Sequence, residues 1–341
     1  ALKIRSNNRT AGLADLETLL GDLNPDGWLH REVRRRIEEV FLRSGDQDGL
    51  VKYYLGWLEK HPQDVDGMAR LAKYLASTAR VPEAGEWLEK ALKLAPKRSE
   101  LRRAFISQLL EDQRYTEAVQ QYALLAQSSP GDVDILREWG RAVLKDKSVE
   151  QTTRAAEAKR IWTQILDARP DDALTTSQVA DLFRQSNLND EATALYEKAV
   201  EQAPSDPQYR EYLGEFYHVQ KQPEKALETW KQIAAGERKS ALNLSRVAEV
   251  LSTFGYSQDS TSYIAEAAAL DPKDLSLQVR AADYHARAEL YDKALEYNTA
   301  ASALEANDDE REQVLKQKIS VLQSARRLEE ETEKLAEALH A

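Results

Sequence analysis

An all-α solenoid of repeated helix-turn-helix pairs is the fold class the sequence predicts, and three observations predict it. Prolines recur on one phase: Pro62, Pro96 and Pro130 lie 34 residues apart, as do Pro170 and Pro204, and two such periods separate Pro204 from Pro272. Twelve residues before each stands a mostly small residue (Leu50, Ala84, Ala118, Ala158, Ala192, Ser260). Eight before stands a bulky one (Tyr54, Leu88, Tyr122, Trp162, Tyr196, Ile264). The 341 residues hold only 13 Gly and 10 Pro and are rich in strong helix formers. A period of this length marks a stack in which no unit can bury its apolar face alone.

The stretch between Pro170 and Pro204 shows the unit. Val179, Ala180 and Phe183 share one helical face, and Ala192, Tyr196 and Ala199 share a face of the next helix. Between them Ser186-Asn187-Leu188-Asn189-Asp190 supplies residues that cap and break helices. Nine helix pairs follow from this pattern, beginning near Trp28, Val65, Ser99, Val133, Ala173, Pro207, Ala241, Leu275 and Asp309. Residues 1–27 precede them as an incomplete unit. Leu13, Leu16, Leu20 and Leu23 share one face there, and Asn24-Pro25-Asp26-Gly27 ends the helix. Because that helix starts mid-repeat, the chain reads as a piece of something longer. The closing helix is charged outside Leu328, Leu335 and Leu339, as suits a solubilising cap.

One unit is longer. Pro130 to Pro170 spans 40 residues, and the surplus lies near 145–151. Ser148 with Gln151 matches a capping box, which predicts a second helix extended at its start and running to about Ala168.

These residues resemble the tetratricopeptide repeat. Leu213-Gly214, Tyr217, Ala226 and Trp230 match its pattern best; Trp139-Gly140 with Trp162, and Leu71-Ala72 with Leu75, Ala84 and Ala91, follow it well. Arg238 and Ala306 stand where its proline is expected, and Asn298 where its aromatic is expected. The resemblance covers about residues 28–340. It implies a right-handed superhelix whose first helices line a concave face that holds a partner peptide or helix.

Carried onto this sequence, that face presents Arg35, Arg70, Lys73, Arg103, Arg137, Arg141 and Lys145 from early repeats. Later repeats present Asp181, Glu211, Glu215, Glu249 and Asp283, with Tyr212 and His218 nearby. Charge follows the same division. Residues 1–170 hold 28 Lys+Arg against 26 Asp+Glu, and the remainder 19 against 32. The expected mechanism is capture of a charged segment by a basic-to-acidic gradient. The alternative is a spacer or docking segment of a larger envelope, secretion or sugar-transfer assembly, acting through its edges. The Lys/Asn/Arg clamp of carboxylate-gripping co-chaperones is not matched, since its Asn positions fall on Arg36, Lys73, Ala104, Glu138 or Ser107. The basic run Arg31–Arg36 reads as a solvated helix face.

Catalytic constellations are missing from the sequence. Its five histidines, His30, His61, His218, His285 and His340, are scattered, and neither a phosphate loop nor a nucleophile elbow occurs. No enzyme, cofactor or metal is expected. Asp46-Gln47-Asp48-Gly49 and Asp64-Val65-Asp66-Gly67 open like calcium loops but lack the remaining ligands, so they read as turns and caps. Asn8-Arg9-Thr10 and Asn243-Leu244-Ser245 read as chance glycosylation sequons. Trp57, Trp139, Trp162 and Trp230 fall on core positions, so a carbohydrate platform is not expected. The acidic balance disfavours nucleic acid, no apolar run suits a bilayer, and self-association is left open. With no Cys, cytoplasm and periplasm fit equally well.

Overall fold

The computed structural model describes residues 9–25, 27–304 and 306–340. The opening segment, Asn8 of the first sequon, Asp26, and the side chains of Leu335, Leu339 and His340 lie outside what is described. The chain forms two compact units, residues 1–168 and 169–341. Unit 1 contains α1 (Arg9–Asp22), α2 (Trp28–Leu42), α3 (Gln47–Lys60), α4 (Val65–Ser77), α5 (Val81–Leu94), α6 (Ser99–Glu111), α7 (Tyr115–Ser128), α8 (Val133–Lys145) and α9 (Gln151–Asp167). Unit 2 contains α10 (Ala173–Gln185), α11 (Asn189–Gln202), α12 (Pro207–Val219), α13 (Pro223–Lys231), α14 (Ala241–Thr253), α15 (Ser257–Leu270), α16 (Leu275–Arg287), α17 (Tyr291–Ser302), α18 (Asp308–Ser324) and α19 (Leu328–His340). Within each unit every helix packs on the next in sequence, which is solenoid architecture.

The phased residues form the core. All six small or apolar residues twelve before the prolines are buried, and so are all six bulky ones eight before. Small and large positions trade volume. Gly140 lies under Trp162 and Gly214 under Trp230: a Cβ on either glycine would meet an indole carbon at 2.9 Å or 2.7 Å. Where the first helix carries Ala180 or Ala248, the second carries the smaller Tyr196 or Ile264. In α2 the corresponding residue is Glu38. Its buried carboxylate accepts from Tyr54 Oη at 2.6 Å and pairs with Arg70, also at 2.6 Å. Leu20 of α1 is buried, with Leu13, Leu16 and Leu23 packed beside it on the core of unit 1.

The turns repeat as faithfully as the helices. In eight hairpins a backbone N–H reaches five residues back to close the first helix in a six-residue loop, for example Leu188 to Phe183 O and Gln222 to Tyr217 O, both at 2.9 Å. The residue before that donor is left-handed: Gly45, Ala79, Gln113, Asn187, Lys221, Gly255, Glu289 and Arg326. Only two of these are glycine. Asn189 does not cap the helix it opens; the residue before α11 is Leu188, with no side-chain cap, so the backbone turn replaces the expected cap chemistry. Side-chain caps instead open the first helices. Asp64, Asp132, Asp172, Asp206 and Asp274, each two residues after a proline, accept from backbone N–H groups of the following turn. Asp46 and Asp64, the calcium-loop look-alikes, cap through Gly49 N and Gly67 N, each at 2.9 Å.

The long repeat differs in one respect from expectation. Its second helix is extended, ending at Asp167, but Ser148 does not cap it. The residue before α9 is Glu150, and no side-chain cap bond forms there. Ser148 instead donates to Asp146 at 2.6 Å, and Asp146 also accepts from Thr116 Oγ1 at 2.8 Å. Two added residues enlarge the hairpin turn, so the six-residue backbone closure is lost and this side-chain network replaces it. The sixth pair departs too. Lacking proline at Arg238, its second helix stops at Lys231 and passes through two 3-10 turns, with Gly236 left-handed.

Two substitutions test this account. Lys221→Gly relieves a left-handed lysine and is expected to stabilise unit 2 by about 0.5–1 kcal/mol. Gly214→Ala thrusts a methyl into Trp230 and is expected to destabilise by about 1–3 kcal/mol. Urea unfolding followed by Trp fluorescence measures both, and equal midpoints for the two variants would contradict the packing scheme.

Candidate partner-binding faces

Residues one period apart form columns along the first helices, because each repeat presents the same helical phase. In unit 2 one column is wholly acidic: Asp181, Glu215, Glu249 and Asp283 occupy matching places on α10, α12, α14 and α16, each 34 residues from the next. The column beside it reads Gln178, Tyr212, Arg246 and Arg280. The matching acidic-column places in unit 1 hold Glu39, Lys73, Ser107 and Arg141.

Most of the expected charges are matched within the chain. In unit 1, Arg35 pairs with Glu32 and Glu39, Arg70 with Glu38, Arg103 with Asp132 at 3.2 Å, Arg137 with Asp134 and Arg141 with Glu138, the last two at 2.8 Å. Among the described residues Lys73 and Lys145 form no ion pair, and both are exposed. In unit 2, Glu211 pairs with Arg246, Glu249 with Arg280 at 3.0 Å, Asp283 with Arg287 at 2.8 Å and Asp181 with Arg184 at 2.9 Å. Asp181 also accepts from Tyr196 Oη at 2.5 Å. Glu215 is exposed and has no ion pair among the described residues. Exposed pairs of this kind are weak and exchangeable, each worth at most about 1 kcal/mol.

A cleft of about 470 Å³ runs between α12, α14 and α16, and it brings together four of the expected residues, Glu211, Tyr212, Glu215 and Glu249. Arg246, Arg280 and the 77 % exposed Leu242 complete it. The sequence reading missed these three, although Arg246 and Arg280 are themselves 34 residues apart. Asp283 lies in an adjoining recess with Arg280 and Arg287. His218 belongs to the interior instead. Its ring sits 4.8 Å from Phe254 and 6.0 Å from Trp230, and its buried Nδ1 has no partner among the described residues.

A family model described as tetratricopeptide repeat matches residues 178–241, spanning the Gly214–Trp230 interlock. Phased core residues recur in the other helix pairs, and the left-handed hairpin turn in all of them but the long repeat. Residues 178–241 are thus a tetratricopeptide repeat segment within a solenoid of like helix pairs. Among curated relatives, DnaJ homolog subfamily C member 3 of Rattus norvegicus is 27% identical over 118 residues, 35% of this chain and 23% of that protein. The chain thus spans about a quarter of the length of the curated relative it matches. Similar solved structures include YrrB, a tetratricopeptide protein with an unusual peptide-binding site, at 18% identity and TM-score 0.35, covering 56% of this chain and 95% of that one. Others are MamA of Desulfovibrio magneticus, at 16%, TM-score 0.34 and coverage of 50% and 92%, and a tetratricopeptide protein of Parabacteroides merdae, at 14%, TM-score 0.38 and coverage of 70% and 92%. Tetratricopeptide arrays are protein-interaction scaffolds in general, and the chain has the architecture of one. No helix among the described residues is long and apolar enough to cross a membrane.

Two buried histidines give the fold a pH dependence. Burial, then the neighbouring Arg34, pushes His30 below the ordinary histidine value. Burial does the same to His285, whose Nδ1 lies 2.8 Å from the Ala281 carbonyl. Each takes up a proton more readily unfolded than folded. Their stabilisation is therefore complete above the unfolded value, about 6.5, and is lost as pH falls through it toward the depressed folded value. The melting temperature of unit 2 is expected to drop between pH 7 and pH 5, with a shallower slope in His285→Leu. Parallel slopes for the two proteins would contradict this.

Proposed function

We propose that the chain is a non-catalytic scaffold that captures partner segments along its first-helix faces, and that unit 2 takes a segment bearing cations. The supporting observation is the carboxylate column Asp181, Glu215, Glu249 and Asp283, one per repeat, beside an exposed leucine and tyrosine in one cleft. Packed helices lie about 8–10 Å apart, and an extended chain advances about 3.3 Å per residue. A segment with Lys or Arg at about every third residue therefore meets one carboxylate per repeat. Incoming cations take over carboxylates from Arg246 and Arg280, and the pairs exchanged are exposed enough to make that cost small. In unit 1 the unpaired Lys73 and Lys145, with Arg137 and Arg141, favour an acidic segment. The opposite charge of the two faces selects partners by complementarity rather than by area.

A second reading, docking by an edge, is supported by the anchored turn of the long repeat. Asp146 ties that turn to Thr116 of the preceding hairpin, holding Lys145 and Lys147 on a fixed ledge. Deleting 146–151 removes the ledge and leaves the first-helix faces in place.

Panning a random displayed-peptide library on the protein tests the first reading. Enriched peptides are expected to divide into a basic class, lost at least tenfold on Glu215→Lys with Glu249→Lys, and an acidic class, lost on Arg137→Glu with Arg141→Glu. Peptides of no net charge, insensitive to salt and to both double variants, would refute the electrostatic mechanism. Peptides lost only on the 146–151 deletion would favour the ledge.

A further inference from the structure

Arg34 in α2 is a cation with unmet donors. Its side chain is 2 % exposed, and its Nη2 is spent on the Asp64 carboxylate. Asp64 has other obligations as well, accepting from Gly67 N at 2.9 Å and Trp57 Nε1 at 2.7 Å. Burial opposes its ionisation, yet Arg34 and these hydrogen bonds together hold it below the usual carboxylate range. It stays charged, and its Oδ2 already accepts from both Arg34 and Trp57. Among the described residues Arg34 Nε and Nη1 have no acceptor. A buried guanidinium that leaves two donor atoms unmatched is costly to keep unless something completes it.

Arg34 lines a recess of about 490 Å³ at the turn end of the first repeats, away from the first-helix columns. That volume lies within the range of small-molecule sites, roughly 300–1,000 Å³. One wall is the Trp57 indole, stacked on His61 at 4.0 Å and 5.7 Å from the Arg34 guanidinium carbon. Leu20, Leu23 and Pro25 add apolar lining. At the rim Arg98 is already paired with Asp66 at 2.6 Å and with Glu100 at 2.8 Å. The recess therefore sets a guanidinium with two unmatched donors beside a flat aromatic ring and apolar side chains. Oxygen acceptors on a flat apolar body fit all three, and a carboxylate suits a guanidinium better than a neutral carbonyl does.

We propose that this recess is a binding site for a carboxylate carried on a small flat apolar body, held by Arg34 against the Trp57 ring. It is independent of the partner faces described above and uses none of their residues. A free small acid and the carboxylate end of a peptide share this chemistry.

Titration of the whole chain with benzoate, followed by the Trp57 Nε1–H resonance, tests the site. Benzoate is expected to shift that resonance saturably, and benzylamine is expected to leave it unmoved. Acetyl-phenylalanine separates the sources: tighter binding than benzoate assigns a peptide end, weaker binding a free acid. Arg34→Gln is expected to weaken benzoate at least tenfold. Because that variant disturbs the Asp64 pair, Trp57→Phe serves as a second, keeping Arg34 and Asp64 in place, with binding followed at His61. No saturable shift with either acid in the folded wild-type protein, or equal shifts with benzylamine, would overturn the proposal.

Discussion

Trp230 lies over Gly214 with its indole N–H given to the Glu211 carbonyl 3.3 Å away, and Trp162 repeats the arrangement over Gly140 with the Arg137 carbonyl at 3.2 Å. A first helix with no side chain at that place lets the second helix's largest residue lie against its backbone. Pairs with Ala180 or Ala248 in the first helix carry the smaller Tyr196 or Ile264 in the second. Since the bulky residue also faces the next pair, the solution chosen in one repeat constrains its neighbour. Turn geometry and caps then only have to deliver the helices at the correct angle.

That constraint explains why the partner faces are what they are. With the small and bulky positions committed to the core, the first helices have one free phase left, and 34-residue periodicity stacks whatever stands there into columns. Four consecutive carboxylates in unit 2 are a direct consequence of one acidic residue being placed at one phase in four repeats. Arg246 and Arg280 stand three residues before Glu249 and Asp283 and pair with Glu211 and Glu249.

Core positions were legible in the sequence because burial is a property of phase. Tyr54, Trp162, Tyr196 and Ile264 could be placed inside from spacing alone, and helix starts at Val65, Ser99, Val133, Ala173, Pro207, Ala241 and Leu275 followed from it. Local chemistry was less legible. Ser148 looked like a cap because spacing says nothing of Thr116, 32 residues away, whose hydroxyl shares Asp146 with it. The left-handed turn positions escaped notice because Ala79, Gln113, Lys221 and Glu289 adopt a conformation their side chains disfavour, imposed by the closure of the hairpin. Charges on the faces could be assigned to a column but not to a partner, and pairing, which decides how much field remains, is a matter of a few ångströms. The buried Asn298, in the bulky position with neither amide atom bonded, shows the opposite failure: the phase is right and the chemistry is wrong for it.

Each helix pair owes its structure to its neighbours. Amide hydrogen exchange of residues 207–240, measured once within the whole chain and once as the isolated peptide, tests it most directly. The account predicts strong protection of α12 and α13 in the chain and coil-like exchange in the peptide. Comparable protection in both would show that the pair folds alone, and the dependence on stacking would be wrong.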